Sequence, residues 1–93
     1  MLTLNTVLHI PDNISFSVVG EDAFLLNTQT NKYFGLEKVG TRLWGLLTEG
    51  KTLRDACQIL LGEYEVDPRE LERDVLELLE LLYKNGLIAI SEE

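Results

Sequence analysis

Residues 14–47 read ISFSVVGEDAFLLNTQTNKYFGLEKVGTRLWGLL, and within them the hydrophobic period changes from two to about 3.6. Before Glu37, short apolar or alternating segments are separated by polar turns, which predicts three strands in an antiparallel meander. These strands are predicted at 14–18, 23–26 and 32–36. After Glu37, Val39 and Leu43 begin one apolar helical face, and this helix is expected to end near Gly50.

Two more helices follow, each with its own start signal. Thr52 resembles an N-cap, and Asp67 followed by Pro68 predicts the start of a third helix, because Asp caps well and Pro suits the first helical position. The second helix carries its apolar face on Leu53, Ala56, Cys57 and Leu60. Gly86 is a good left-handed stop for the third helix, and residues 87–90 can add a short strand. The predicted order, three strands and then three helices, is an α+β fold.

Length and charge restrict the classes of function. The 93 residues allow one domain, 1–93, with one modest core. Eight basic and sixteen acidic residues give a net charge of −8, whereas DNA-binding proteins neutralise phosphates with Lys and Arg. We therefore expect no nucleic-acid partner and a basic or neutral one instead.

No apolar run approaches the ~20 residues of a membrane span, and the N-terminus lacks a signal peptide, which predicts no membrane partner. The single cysteine fits a cytoplasmic location.

The third helix is more apolar than a single core requires. At about 100° per residue, the expected core stripe consists of Leu71, Val75, Leu78 and Leu82. One margin of the stripe carries Asp74 and Leu81, and the other carries Leu76, Leu79 and Tyr83. The apolar sector thus covers about half the circumference, wider than the ~100° stripe of an ordinary surface helix. Either strands wrap both sides of this helix, or it leaves one margin for a partner.

The third predicted strand has the features of an open sheet edge. It comes last in the meander, and edge strands expose backbone N–H and C=O groups that natural proteins usually protect with charges or proline. Here Lys32 is the only charge beside Tyr33-Phe34-Gly35-Leu36, so the edge can accept an extended peptide as a further strand. Alternation turns either Tyr33 or Phe34 inward, and the other needs a different use.

The sequence contains no catalytic constellation, and we expect a protein that is not an enzyme. His9 is the only histidine and lies in an extended N-terminal segment, while Cys57 lies on a buried helical face and is expected to be structural. One His and one Cys cannot build a usual zinc site. Glycines at 35, 40 and 45 match no phosphate-binding loop. We therefore predict no catalytic residue, no metal and no cofactor.

Taken in order, these features resemble the PqqD-like family. The likeness runs through residues 25–27, 32–36, 39–47 and 52–55, Asp67, Leu71, Asp74, Val75, Leu78, Leu81, Gly86 and Leu87, within a span of about 14–90. Members of that family are recognition elements for ribosomally made, post-translationally modified peptides. The resemblance implies a winged-helix-like fold, with a three-stranded antiparallel sheet followed by three helices.

The resemblance also implies a binding mode. The leader segment of a precursor peptide is expected to add to the third strand and to lie against the third helix. The implied peptide-binding residues are Lys32, Tyr33, Phe34, Gly35, Leu36, Asp74, Val75, Leu78 and Leu81. Asp74 is implied to meet a leader cation or backbone donor, and Leu78 and Leu81 to hold apolar side chains. Which margin of the helix faces the leader stays open, so Leu79 is a further candidate.

The implied partners are the leader and a maturation enzyme. Family members occur fused to enzymes, beside radical SAM maturases, or as stand-alone proteins of lasso-peptide pathways. A free chain fits the last two, and overall likeness favours the lasso type, in which the leader is handed to a separate cysteine protease. The alternative from another class is a winged-helix DNA-binding regulator. The third helix argues against this alternative, because a DNA-recognition helix is rich in Lys and Arg. This helix carries three basic residues, Arg69, Arg73 and Lys84, and five acidic ones.

Overall fold

The central sheet is the antiparallel meander that the alternating pattern predicts. In the computed structural model, which describes residues 2–91, its strands are β2 (Ile14–Val19), β3 (Asp22–Asn27) and β4 (Lys32–Leu36). β3 lies in the middle and pairs with both neighbours. Leu25 and Ala23 of β3 face Phe34 and Leu36 of β4 across the register. β4 is therefore an edge strand of this sheet, as predicted.

The three helices follow the sheet and begin and end at the predicted signals. They are α1 (Lys38–Thr48), α2 (Leu53–Glu63) and α3 (Pro68–Lys84). The Thr52 hydroxyl accepts a hydrogen bond from the N–H of Asp55, and the Asp67 carboxylate accepts one from the N–H of Arg69. Gly86, just beyond α3, adopts a φ of 73°, which a glycine reaches without steric cost. The α+β fold with three strands followed by three helices is confirmed.

A second, two-stranded sheet joins the two ends of the described chain. β1 (Val7–His9) pairs antiparallel with β5 (Ala89–Ser91), so that Leu8 lies opposite Ile90. The sequence indicated an extended segment before Pro11 and a short strand near the C-terminus. It did not indicate that the two pair with each other.

One face of the meander packs on the helices, and the other face is not covered by any described element. Leu25 of β3 is fully buried together with Leu43, Leu46, Leu60 and Leu79 of the helices. On the opposite face, Phe24 and Tyr33 are 46% and 72% exposed. The alternation has therefore turned Phe34 inward and Tyr33 outward.

Asn27, at the end of β3, is the one buried polar side chain among residues 2–90, at 5% exposed. Its Oδ1 accepts hydrogen bonds from Nδ2 of Asn13 at 2.8 Å and from the N–H of Gln29 at 3.0 Å. Its Nδ2 donates to the carbonyl oxygen of Gly86 at 3.3 Å. These bonds satisfy the buried amide and connect the meander to the end of α3.

The core stripe of α3 differs from the prediction at one position. The periodicity places Leu78 in the core and Leu79 on a margin, but Leu79 is 0% exposed and Leu78 only half-buried. The buried line is Leu71, Val75, Leu79 and Leu82. Because α3 packs chiefly on α2 rather than flat on the sheet, its buried face is turned toward Leu79. Leu78 packs against the core only in part and lies close to Gly40 of α1.

Candidate functional site

A groove of about 890 Å³ runs between the edge strand β4 and helix α3. Its apolar surface is contributed by the inward face of β4, the first half of α1, the α2–α3 loop and α3. These residues are Phe34, Leu36, Val39, Leu43, Val66, Leu71, Val75 and Leu78. Leu36 and Val75 are buried beneath the surface, whereas Phe34 and Leu78 are half-buried and present part of their side chains.

Gly40, in the first turn of α1, allows Leu78 to lie where it does. A Cβ atom at position 40 would lie 3.2 Å from Cδ2 of Leu78 and 3.5 Å from Cδ2 of Leu36. The first distance is shorter than most Cβ contacts in folded proteins, so only glycine leaves Leu78 its present position. Three elements, β4, α1 and α3, thus meet at the Gly40–Leu78 contact.

The open edge of β4 borders the groove. Within residues 2–91, β4 pairs with β3 on one side and with no strand on the other. A peptide that paired with this edge would alternate its side chains, as any strand does, between the groove and the outer face of the sheet. Phe34 and Leu36 lie on the groove side, and Tyr33 on the outer side beside Phe24 and Leu26.

The groove is acidic. Its lining includes six carboxylates, Asp22, Glu37, Glu65, Asp67, Glu70 and Asp74, and one cation, Lys38. Nζ of Lys38 pairs with Oε2 of Glu21 at 3.1 Å and lies 5.8 Å from the ring centroid of Tyr64. The hydrogen bond to Glu21 and the charge of that carboxylate raise the pKa of Lys38, so the lysine stays protonated and paired. The carboxylates of the groove are therefore not neutralised by their one cationic neighbour.

Six of the nine residues predicted for the site line this groove. They are Phe34, Gly35, Leu36, Asp74, Val75 and Leu78. Lys32 and Tyr33 lie on β4 but outside the lining, and Leu81 is 50% exposed on the same margin of α3, beyond the groove. Leu79, the further candidate, is fully buried and offers no surface to a ligand.

Sequence reasoning missed the part of the groove that α1 and the α2–α3 loop provide. Val39, Gly40, Glu65 and Val66 line it, and of these the pattern placed only Val39, on the apolar face of the first helix. A usable signal was present at Gly40. Glycine in a helix costs about 1 kcal/mol relative to alanine, which indicates a position where a neighbour comes too close for a side chain.

Cys57 and His9, the one cysteine and the one histidine of the sequence, do not line the groove. Cys57 is buried in α2, and desolvation raises the pKa of its thiol, which keeps the unreactive thiol form. Among the described residues, no cluster of three or more His, Cys, Asp and Glu side chains is placed to hold a metal ion. No helix within residues 2–91 has the length and apolar character to cross a bilayer.

Comparison with known proteins gives one family and two solved structures. The family model described as Coenzyme PQQ synthesis protein D (PqqD) matches residues 22–88. A structure described as TbiB1 in complex with the TbiA(beta) leader peptide is 34% identical, with a TM-score of 0.84, over 91% of this chain and 99% of its own. A lasso peptide synthetase B1 complexed with the leader peptide is 27% identical, with a TM-score of 0.79, over 88% and 96%. No curated protein matches the sequence.

Proposed function

The chain belongs to the PqqD family, and we propose that it binds the leader segment of a ribosomally made precursor peptide without transforming it. The observation that carries this proposal is the apolar groove beside the unpaired edge of β4. The two similar proteins, at 34% and 27% identity, hold leader peptides in their complexes, which supports the same ligand class here.

In the proposed complex the leader extends the sheet at β4. Backbone hydrogen bonds to the edge provide affinity, and pockets for alternate side chains provide specificity. An apolar leader side chain would pack against Leu36 and Leu78, next to Gly40. We retain Leu81 as a contact for a longer ligand, because it continues the same margin of α3 beyond the groove. Lys32 and Tyr33 would take part through the backbone of the edge.

The charge of the groove favours a leader that carries Lys or Arg. Asp74 is exposed and makes only a long, 3.9 Å contact with the neighbouring Arg73, which leaves its carboxylate available to a ligand. Asp67 already accepts hydrogen bonds as the cap of α3. We therefore retain for Asp74 the role that the resemblance to the PqqD family implies, contact with a leader cation or backbone donor.

We further propose that the protein is a single recognition domain, residues 1–93, which works in the cytoplasm beside a separate maturation enzyme. A leader peptidase of a lasso-peptide pathway is favoured, and the likeness to a lasso peptide synthetase B1 supports it. A radical SAM maturase is the alternative partner. Within the described chain the groove is lined by neither the cysteine nor the histidine, and no metal-binding cluster is found, which supports a role in binding alone.

Titration of a fluorescent leader tests this function. The co-encoded leader should bind saturably with a Kd below about 1 μM, which corresponds to more than ~8 kcal/mol, and a scrambled leader should not. Mass spectrometry of the peptide after incubation should find it unchanged. Equal and weak binding of both peptides would refute leader recognition, and a processed peptide would refute the binding-only role.

A mixture with candidate enzymes then distinguishes the partners. The leader peptidase and the radical SAM enzyme encoded near the precursor should be assayed with and without this protein. We expect it to accelerate leader cleavage. Acceleration of a radical SAM modification alone would assign the alternative pathway.

A further inference from the structure

A second concave surface, with the opposite charge, lies away from the groove. It has a volume of about 720 Å³ and shares no lining residue with the groove. The segment Leu4–Ile10, the end of α1 and the start of α2 form its walls. We call it the N-terminal cavity.

The lining of this cavity is apolar and basic. The apolar part is Leu4, Val7, Leu8, Ile10, Leu47, Leu53 and Ile88. The cations of the lining are Lys51 and Arg54. His9 also belongs to the lining, and no described carboxylate does. The local charge of the cavity is therefore positive, although the net charge of the chain is −8.

Neither of the two cations, Lys51 and Arg54, is offset by a paired carboxylate among the described residues. Nη2 of Arg54 donates to Oδ1 of Asn5 at 2.9 Å, which positions the guanidinium over the cavity but neutralises nothing. α2 also begins at this rim, and the positive end of its dipole adds to the local potential.

The N-terminal cavity also borders an unpaired strand edge. β1 pairs with β5 on one side, and among the described strands it has no second partner. All seven residues from Leu4 to Ile10 belong to the lining. The cavity therefore borders β1 along its whole length, Val7–His9.

We propose that the N-terminal cavity binds an extended segment of a partner protein in which acidic and apolar side chains alternate. The segment pairs with the edge of β1, its apolar side chains contact Leu4 and Leu47, and its carboxylates face Lys51 and Arg54. The cations of the cavity attract the acidic side chains of such a segment. The acidic groove beside β4 repels them, so the segment is expected to bind at the cavity and not at the groove. The proposal does not depend on what the groove binds.

Selection from a displayed library of random 12-residue peptides, with the full chain as bait, tests the proposal. Enriched peptides should be rich in Asp, Glu, Leu and Ile. The Lys51→Glu/Arg54→Glu variant should bind them at least about tenfold more weakly, and this loss should shrink as salt is raised. The Arg69→Glu/Arg73→Glu variant, with the same change of charge on exposed positions of α3, should bind them like the wild type.

Lys51→Glu alone provides a second readout, because Lys51 makes no side-chain hydrogen bond among the described residues and its replacement leaves the Arg54–Asn5 contact intact. It should weaken binding about threefold and leave the melting temperature unchanged. The proposal is overturned if no peptide is enriched, if the enriched peptides are basic, or if both double variants bind them equally.

Discussion

Gly40 and Leu78 lie close together in the lining of the groove, and they allow a test with a matched control. In Gly40→Ala the new methyl group, 3.2 Å from Cδ2 of Leu78, should push that side chain into the groove. We expect leader affinity to fall about tenfold. In Gly45→Ala, in the same helix, a Cβ atom meets nothing within 4 Å.

Both replacements favour the helix by about 1 kcal/mol, so thermal melts should show Gly45→Ala stabilised and Gly40→Ala less so. Leader titrations of the two variants complete the test. Equal affinities would mean that Leu78 does not border the bound leader.

Leu79 is buried where the periodicity placed Leu78, and this difference can be tested by the loss of stability that each alanine replacement causes. Leu79→Ala empties a fully buried position and should lower the free energy of unfolding by about 2–5 kcal/mol. Leu78→Ala should cost about 1–2 kcal/mol, because its side chain is only partly buried, yet it should weaken leader binding more than its loss of stability explains. Urea denaturation gives the first quantity and titration of the folded variants the second. A larger loss of stability for Leu78→Ala would contradict the core as described.

Asp74 should contribute to binding and not to folding. Asp74→Asn retains the size of an exposed side chain and removes its charge, so the melting temperature should stay constant. Affinity for a leader that carries Lys or Arg should fall about threefold to tenfold at low salt and less at high salt. Glu77→Gln, exposed on another side of α3, is the control and should change neither quantity. An unchanged affinity of Asp74→Asn in low salt would remove Asp74 from the site.

The leucines of α3 show why residue-level prediction stopped where it did. Leucine occupies positions 76, 78, 79, 81 and 82, so stripes through Leu78 and through Leu79 both fit a helical period. Which of the two stripes is buried depends on the position of α2, which is set by the tertiary structure and not by the sequence of α3. Caps are different, because the bonds from Asp67 and Thr52 join residues only two or three positions apart. Both caps were predicted correctly.

At the level of elements, the two edges of the meander provide a paired test of strand addition. Hydrogen exchange measured with and without leader should show β4 amides protected about tenfold or more on binding. β2, the opposite edge of the same sheet, should exchange at the same rate in both states. Protection of β2 instead would place the leader on the wrong side of the sheet for this groove.

The elements also differ in how well their pairing can be read from the sequence. The strands of the meander follow one another through short turns, so alternation and turn residues specify both existence and order. β1 and β5 are three residues each and pair across about eighty positions of the chain. Nothing local encodes that partnership or its register, and the N-terminal cavity that β1 borders was consequently not foreseen.

For the whole molecule, the net charge of −8 makes a direct prediction about nucleic acid. Mixed-sequence duplex DNA should show no retention in a gel-shift experiment at low salt, where electrostatic attraction is greatest. The leader complex, formed under the same conditions, is the positive control for folded protein. Retention that weakens steeply with added salt would revive the winged-helix regulator as a function.

The buried amide of Asn27 has a consequence for the molecule as a whole. It joins the sheet that carries β4 to the carbonyl group at the end of α3, and so it connects the two walls of the groove. A ligand held between two walls binds with its intrinsic affinity only in the fraction of molecules whose walls are correctly spaced. Asn27 touches no ligand in the proposed complex. Its hydrogen bond to Gly86 would nevertheless raise the affinity for the leader, because it keeps that fraction near one.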